Sequence, residues 1–332
     1  RPTLATTQGS DLTGYFSLNP TVEGLMPLWQ SGQLGFVQAT STPYRDQRSH
    51  FDGQNILEAG TGMDLPDAAR RDGWLNRMLQ AVPGLRAQTA FAIGTDSAPV
   101  LHGPAAVSNW QPDLRLDLSA QSRLLLDHIY HDDALFRDAA TEAVSLTESL
   151  DLSGRTAMAS VPPAGRLAST DRLVDFAADR LRDDTRVAAF SLNGWDTHRN
   201  QSGGITPPLR RLERVVLRMA DRLGPEIWGK TLLLAMTEFG RTVAENGTKG
   251  TDHGTGGAML MAGGALNGGR VMGHWPGLDE AALYQRRDLM PTSDVRAWAA
   301  WAMRGLYGFD RTLLESSIFP GLQMGDDPGL LA

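Results

Sequence analysis

Acidic and histidine side chains flank apolar runs at three places in the second half of the sequence: two clusters follow such a run and the third precedes one in a glycine-rich loop. Carboxylate oxygens and imidazole nitrogens are ligands that suit zinc, manganese and other divalent cations. The chain has no cysteine, so a metal would have to bind through His, Asp and Glu. Each such residue alone is more often a cap or turn residue, but three clusters at successive strand ends favour a shared site. The candidate metal ligands are Asp196, His198, Glu238, Asp252 and His253.

A second candidate group lies upstream, where Arg48, Ser49 and His50 are consecutive. Ser49 stands at the predicted start of a helix, where backbone N–H groups and the helix dipole stabilise an anion. Serine is a common N-cap, so its position alone favours a cap. Its neighbours favour a nucleophile, because arginine binds tetrahedral anions and a metal lowers the pKa of a hydroxyl. The candidate catalytic residues are Ser49, His50, Arg48 and Arg241, with Arg48 or Arg241 stabilising transition-state charge.

Other histidines and motifs carry less weight. His102, His128 and His131 are remote from these clusters in sequence, and we interpret them as surface or core residues. The sequence contains no G-x-S-x-G motif, which argues against a conventional Ser-His-Asp triad.

The elements that must position these residues alternate between strands and helices. This alternation predicts an α/β fold, a three-layer sandwich with a mostly parallel central sheet covered on both faces. In such sheets ligands bind beyond the carboxyl ends of the strands, where the candidate residues lie. We expect one domain over 1–332, with a helical excursion at about 118–165. The predicted strands are 34–40, 89–93, 187–192, 231–236 and 258–262, and the predicted helices include 49–59, 167–181 and 208–223.

Composition excludes several functions. No run of about eighteen apolar residues occurs, so no transmembrane segment is predicted. The net charge of −7 and the dispersed basic residues argue against a nucleic-acid partner. The absence of cysteine excludes disulfides and thiolate nucleophiles. Because the chain begins with Arg1 rather than Met, we expect a processed product or a fragment that has lost its targeting segment.

Several motifs together resemble one bacterial family. The chain resembles the domain of unknown function fifteen-oh-one, which is itself similar to alkaline phosphatases and sulfatases. The resemblance implies an alkaline-phosphatase-like fold, twin-arginine export and a periplasmic or secreted location. It also implies a divalent metal, zinc first and manganese, calcium or magnesium as alternatives, and a small or polymer-linked phosphate or sulfate ester as substrate. The motifs are RPTLA at 1, SHFDGQNILEAG at 49, SNWQPDLRL at 108, GWDTH at 194, TEFGRT at 237 and GTDHGTGGAMLMAGG at 250.

The resemblance assigns roles residue by residue. Ser49 matches the superfamily nucleophile, Asp196 and His198 match an acid-plus-histidine motif, and Glu238 and His253 match the later ligands. Family members normally begin with a strand ending in Arg-Gly-Gly-x-Asp-Gly, and this sequence does not contain that motif. We therefore expect the first strand and its ligand to be missing, which would leave metal binding weak or absent.

Three functional hypotheses follow. The first is a metal-dependent hydrolase of phosphate or sulfate esters with Ser49 as nucleophile. The second is a catalytically inactive exported binding or assembly protein that retains the fold and binds an envelope protein, because fold alone does not guarantee function. The third is a metallohydrolase that activates water, in which Ser49 only caps its helix.

Overall fold

The apolar runs of the sequence form short strands. The computed structural model describes residues 1–5, 8–63, 72–82, 84, 86–94, 98–111 and 166–332, so the predicted helical excursion at about 118–165 lies almost wholly outside the described residues. The strands are β1 (Ser10–Asp11), β2 (Ser17–Leu18), β3 (Leu34–Ser41), β4 (Ala90–Ile93), β5 (Ser108–Trp110), β6 (Val187–Ala189), β7 (Leu233–Ala235), β8 (Gly257–Ala262), β9 (Arg270–Met272) and β10 (Ser293–Asp294).

The strands form two main sheets and one small ribbon. The larger sheet has the order β10-β3-β8-β7, with β9 also pairing with β3. In this sheet β8 is antiparallel to both β3 and β7, whereas β9 and β10 are parallel to β3. The smaller sheet, β5-β4-β6, is entirely parallel, and β1 and β2 form an antiparallel pair. The predicted α/β class is confirmed, and the larger sheet is mixed because β8 reverses direction.

Helices alternate with these strands, largely where periodicity predicts them. Short 3-10 helices occur at Pro20–Leu25, Ala87–Thr89, Pro99–Leu101 and Glu280–Ala282, and a π-helical turn at Leu314–Ile318. None of the helices that the structure describes is long and apolar enough to cross a bilayer. The α-helices are α1 (Met26–Gln30), α2 (His50–Ala59), α3 (Trp74–Gln80), α4 (Arg166–Leu181), α5 (Gln201–Gly204), α6 (Thr206–Trp228), α7 (Val295–Tyr307) and α8 (Arg311–Leu313).

Helix α6 illustrates how the core forms. Its apolar face buries Val215, Val216, Met219 and Leu223 in one cluster that also contains apolar residues of α4. The predicted end at Leu223 coincides with a kink at Gly224, after which one more turn continues to Trp228. Pro225 explains this break, because its ring lacks an N–H and cannot continue a regular helix. The apolar residues of α6 pack against α4 and the smaller sheet in one core.

Candidate functional site

Four chain segments meet at one edge of the sheets. The loops after β6 and β7 carry Asp196 and Glu238, and the loop after β3 leads into α2 at His50. Since β8 is antiparallel to β7, the loop that precedes it arrives at the same edge with His253. The topology therefore brings together residues about two hundred positions apart in sequence.

Asp196 is the centre of the cluster. Its Oδ1 lies 2.6 Å from Arg241 Nη1, 2.8 Å from His198 Nε2 and 3.0 Å from His253 Nε2. Its Oδ2 lies 3.2 Å from His50 Nε2. One carboxylate thus faces three imidazole rings and one guanidinium group.

The outer nitrogen of each ring has its own acceptor. A proton on Nδ1 that is donated to such an acceptor leaves the Nε2 lone pair unprotonated. All three rings are therefore oriented with Nε2 towards Asp196 by a partner on the opposite side. The outer contacts are His50 Nδ1 to Glu238 Oε1 at 2.6 Å, His198 Nδ1 to Asp252 Oδ1 at 3.0 Å and His253 Nδ1 to the backbone oxygen of Arg48 at 2.9 Å.

The inner nitrogens face the Asp196 carboxylate and one another. His198 Nε2 and His253 Nε2 lie only 3.0 Å apart. His50 Nε2 is buried and forms no hydrogen bond within the described residues, although it lies 3.2 Å from Asp196 Oδ2. Lone pairs that face one another repel unless a proton or a cation lies between them. The arrangement has the donor types and orientation of a cation site.

Distances in the cluster fit a small divalent ion. One ligand atom from each of His50, Asp196 and His253 lies within 4.8 Å of the others. Zinc bonds of about 2.0–2.2 Å place tetrahedral ligand atoms roughly 3.3 Å apart. The separations of 2.8–3.0 Å among Asp196, His198 and His253 are slightly below that value. Small side-chain movements would therefore accommodate an ion.

The electrostatics of the cluster favour an ionised carboxylate. Burial would raise the pKa of Asp196, but the hydrogen bond from Arg241, the contact with His50 and the charges of His253 and His198 lower it to about 2. For His50 the direction is reversed, because burial lowers the pKa of an imidazole. Its contacts with Glu238 and Asp196 outweigh burial and raise the pKa of His50 above its usual value. The ring of His50 therefore takes up a proton more readily than a free imidazole does.

Arg241 is tied into the cluster on two sides. Its Nε donates to Thr251 Oγ1 at 3.1 Å, and Nη2 donates to the backbone oxygen of Thr251. The Thr251 hydroxyl donates in turn to Gln201 Oε1 at 2.6 Å. Arg48 is different, because its side chain is exposed and no partner of its guanidinium occurs among the residues described. Arg48 is thus the freer of the two predicted anion-binding arginines.

Glycines allow the site loops to approach one another closely. A Cβ at Gly250 would lie 2.2 Å from the backbone oxygen of His198. A Cβ at Gly254 would lie 2.5 Å from the backbone carbon of Arg241. Real Cβ contacts are not this short, so both positions require glycine. This packing explains the glycine-rich sequence 250–257 around His253.

Ser49 occupies the N-cap of α2. Its Oγ accepts a hydrogen bond from the Asp52 N–H at 3.3 Å, and its own N–H donates to Tyr44 Oη at 2.8 Å. No contact between Ser49 Oγ and the Asp196 cluster is present in the described part of the chain. The nucleophilic role predicted for Ser49 stays a prediction.

The predicted residues divide into two groups by position. Asp196, His198 and His253 lie at the centre, joined by His50, which the sequence assigned to catalysis rather than to a metal. Glu238 and Asp252 contact the outer ring nitrogens. Outside the cluster, His102 is an exposed residue, while His128 and His131 lie beyond the described residues.

Sequence reasoning missed several supporting residues. Asn246 donates to Asp252 Oδ1 at 3.0 Å and to the backbone oxygen of His198 at 2.9 Å. Arg287 donates to the backbone oxygen of His253 at 2.9 Å. Asn246 lies close in sequence to the GTDHG motif, and this proximity could have identified it as a supporting residue. No sequence signal pointed to Arg287, which is 34 residues from its acceptor.

Fold and cluster together define an α/β protein with a candidate cation site. Residues 39–297 match the model of the family described as Protein of unknown function (DUF1501). The chain therefore belongs to this family, as its motifs predicted. No curated protein and no solved structure matches the chain significantly.

Proposed function

We propose that this protein is a metal-dependent hydrolase of phosphate or sulfate esters. The observation that carries the proposal is the convergence of three imidazole Nε2 atoms on the carboxylate of Asp196. A cluster that only stabilised the fold would alternate donors and acceptors. Here three ring nitrogens face one ionised carboxylate and two of them also face each other, which is an arrangement that a bound cation would stabilise.

The ligands we assign are His50, Asp196 and His253, with His198 as the fourth. Glu238 and Asp252 then orient two of the rings through Nδ1, as carboxylates commonly do for metal-bound histidines. Three imidazoles and one carboxylate suit zinc best and manganese next, whereas calcium and magnesium prefer sets of oxygen ligands. When bound, such an ion polarises the ester and lowers the pKa of a nearby hydroxyl or water.

The same edge offers groups for an anionic substrate. Helix α2 begins at His50, and the first backbone N–H groups of a helix point outward without partners in the helix itself. The exposed side chain of Arg48 precedes this N-terminus. A tetrahedral phosphate or sulfate group beside the cation would meet both. In this arrangement Arg241 keeps Asp196 ionised and in place.

We assign the nucleophile to Ser49. Its hydroxyl is adjacent in sequence to the ligand His50 and stands at the N-terminus of α2. In the proposed reaction the Ser49 hydroxyl gives up its proton as Oγ bonds to phosphorus or sulfur. The bond from that atom to the ester oxygen breaks, and the alcohol leaves with a proton. Water then hydrolyses the serine ester and releases phosphate or sulfate. The capping bond from Asp52 favours the alternative in which water attacks directly and Ser49 only caps the helix.

Family resemblance supports two finer proposals. We infer a three-layer, alkaline-phosphatase-like arrangement of the α/β fold, and export by the twin-arginine route to the periplasm or beyond. The motifs TEFGRT and GTDHG, which surround the cluster, are the sequence features that support both.

Metal content and ester hydrolysis test the proposal together. We expect the purified protein to bind one or more equivalents of zinc or manganese and to hydrolyse p-nitrophenyl phosphate or sulfate. Asp196→Asn should abolish both properties, whereas Ser49→Ala should keep the metal and lose turnover. His274→Ala is the matched control, because His274 is exposed and distant in sequence from the cluster ligands.

Each other outcome has a definite meaning. Absence of both metal binding and hydrolysis would refute the proposal. Metal binding without hydrolysis of any ester would favour an inactive binding or assembly protein. Full activity of Ser49→Ala would assign attack to water.

A further inference from the structure

Strands β6 and β7 each have one unpaired edge. Among the residues that the structure describes, β6 pairs only with β4, and β7 pairs only with β8. The opposite edges carry rows of backbone N–H and C=O groups that have no ladder partner in the described part of the chain. Backbone groups inside a protein are nearly always hydrogen-bonded, so two such edges in one domain need an explanation.

Both edges border the same cavity. Its volume is about 2000 Å³, and consecutive residues over 185–197 and 230–241 line it. Because successive side chains of a strand point to opposite faces, a cavity that every residue contacts runs along the strand edge. Typical small-molecule pockets measure about 300–1,000 Å³, and protein interiors contain few voids larger than a water molecule. A cavity of this size that borders both strands is suited to a larger occupant.

The exposure of these strands supports the same view. In β7, Leu233 and Leu234 belong to opposite apolar clusters, as expected for a central strand covered on both faces. Yet every residue of β7 is only half-buried. In the well-paired strands β3 and β8, Val37 and Met259 are fully buried. The apolar faces of β7 are covered, so its incomplete burial reflects the open edge.

The two edges run in the same direction. The carboxyl ends of β6 and β7 lead to Asp196 and Glu238, and both residues contact the single ring of His50. Since these ends lie at one edge of the sheets, β6 and β7 are parallel. A strand placed between them can pair with both in the same parallel sense.

We propose that the space between β6 and β7 is a docking slot for an extended apolar segment of polypeptide. The segment adds as a parallel strand and joins the smaller sheet to the larger one. Its backbone supplies donors and acceptors to both edges, as in β-augmentation, and its side chains contribute apolar surface to both faces. This proposal is independent of the chemistry assigned to the Asp196 cluster.

Backbone chemistry selects this occupant over others. A lipid chain or another apolar small molecule fills volume but offers no N–H or C=O groups at strand spacing. A second folded copy could pair with one exposed edge, but it could not pair at the same time with two edges that border one cavity. Only an extended polypeptide satisfies both rows at once.

The test uses a synthetic peptide with the intact protein. The peptide has about six Val, Ile and Leu residues, the usual length of a strand, preceded by two lysines for solubility. Its matched control has the same sequence with N-methyl groups on alternate residues, which remove the backbone donors of one edge. Hydrogen exchange measured by mass spectrometry follows 185–192 and 231–237, and fluorescence anisotropy follows binding.

We expect the unmodified peptide to slow exchange in both segments by roughly tenfold or more and to leave β3 and β8 unchanged. The N-methylated control should bind at least about tenfold more weakly. Equal binding of the two peptides would overturn the proposal in favour of a nonspecific apolar ligand. Slow exchange without peptide would also overturn it, and so would protection that depends only on protein concentration, which indicates a second copy.

Discussion

Two polar networks in this molecule use the same residue types in opposite ways. Between helices α4 and α6, three arginines spaced four residues apart face three aspartates with the same spacing. Two of the three pairs are bidentate, so each carboxylate in these pairs accepts from two N–H groups of one guanidinium. The pairs are Arg214 with Asp171, Arg218 with Asp175 and Arg222 with Asp179.

The Asp196 cluster lacks this match of donors to acceptors. Its carboxylate has one strong donor in Arg241, but each Nε2 atom around it can donate only if its ring carries a second proton, because Nδ1 already faces an outer acceptor. The three Arg–Asp pairs between α4 and α6 form a helix ladder, in which the charges are balanced by the protein itself. In the cluster, balance requires a proton or a cation from outside. Complete pairing is typical of a structural network, whereas the convergence of ring nitrogens on one carboxylate supports the cation site that we propose.

The largest expected effect comes from removing the central carboxylate. Asp196→Asn should weaken zinc or manganese binding by more than about 100-fold, beyond the range typical for changes to outer partners. Asp171→Asn in the helix ladder is the matched control and should leave the affinity unchanged. Isothermal titration calorimetry measures both. Similar metal affinities for the two variants would contradict the distinction between a binding cluster and a structural network.

A smaller loss is expected from an outer partner. Asp252→Asn keeps the shape of the side chain but weakens its hold on His198 Nδ1, so metal affinity should fall by about 10- to 100-fold. The measurement is competition with a chromophoric chelator. If affinity were unchanged, His198 would not be a ligand and Asp252 would be a loop residue only.

The next largest effect on metal affinity is expected from a change in the packing of the site loops. Gly250→Ala forces a Cβ against the backbone oxygen of His198, so the loop must move and metal affinity should fall on the order of tenfold. Gly247→Ala lies in the same loop with open space around it and serves as control. Calorimetry and thermal unfolding would detect the difference. Equal behaviour of the two variants would contradict the close packing of these loops.

The smallest effect concerns the helix ladder. The hydrogen bond from Arg214 lowers the pKa of Asp171. A lowered pKa means that the stabilisation is complete above the usual aspartate pKa and is lost as pH falls through the lowered value. Because Arg214 is 46% exposed, solvent screening limits the pair to about 0.2–1 kcal/mol. Asp171→Asn should therefore unfold at slightly lower urea concentration at pH 7, with the difference vanishing in acid.

The sequence predicted much of this arrangement because its signals were local. Apolar periodicity predicted β3, β8, α2 and α4 to within two residues at each end. Family motifs marked the loops that carry the cluster. The roles within the cluster depend on which ring nitrogen faces which acceptor, and this depends on distant contacts such as that of His253 with Arg48. Likewise, the open edges of β6 and β7 follow from pairing between strands, which no local pattern encodes.

The most direct test of the cation site is anomalous scattering from crystals grown with zinc or manganese. We predict a peak bounded by His50 Nε2, His253 Nε2 and the Asp196 carboxylate, at about 2.0–2.2 Å from each for zinc. Well-ordered crystals with no peak there, or with a metal bound only elsewhere, would contradict the assignment.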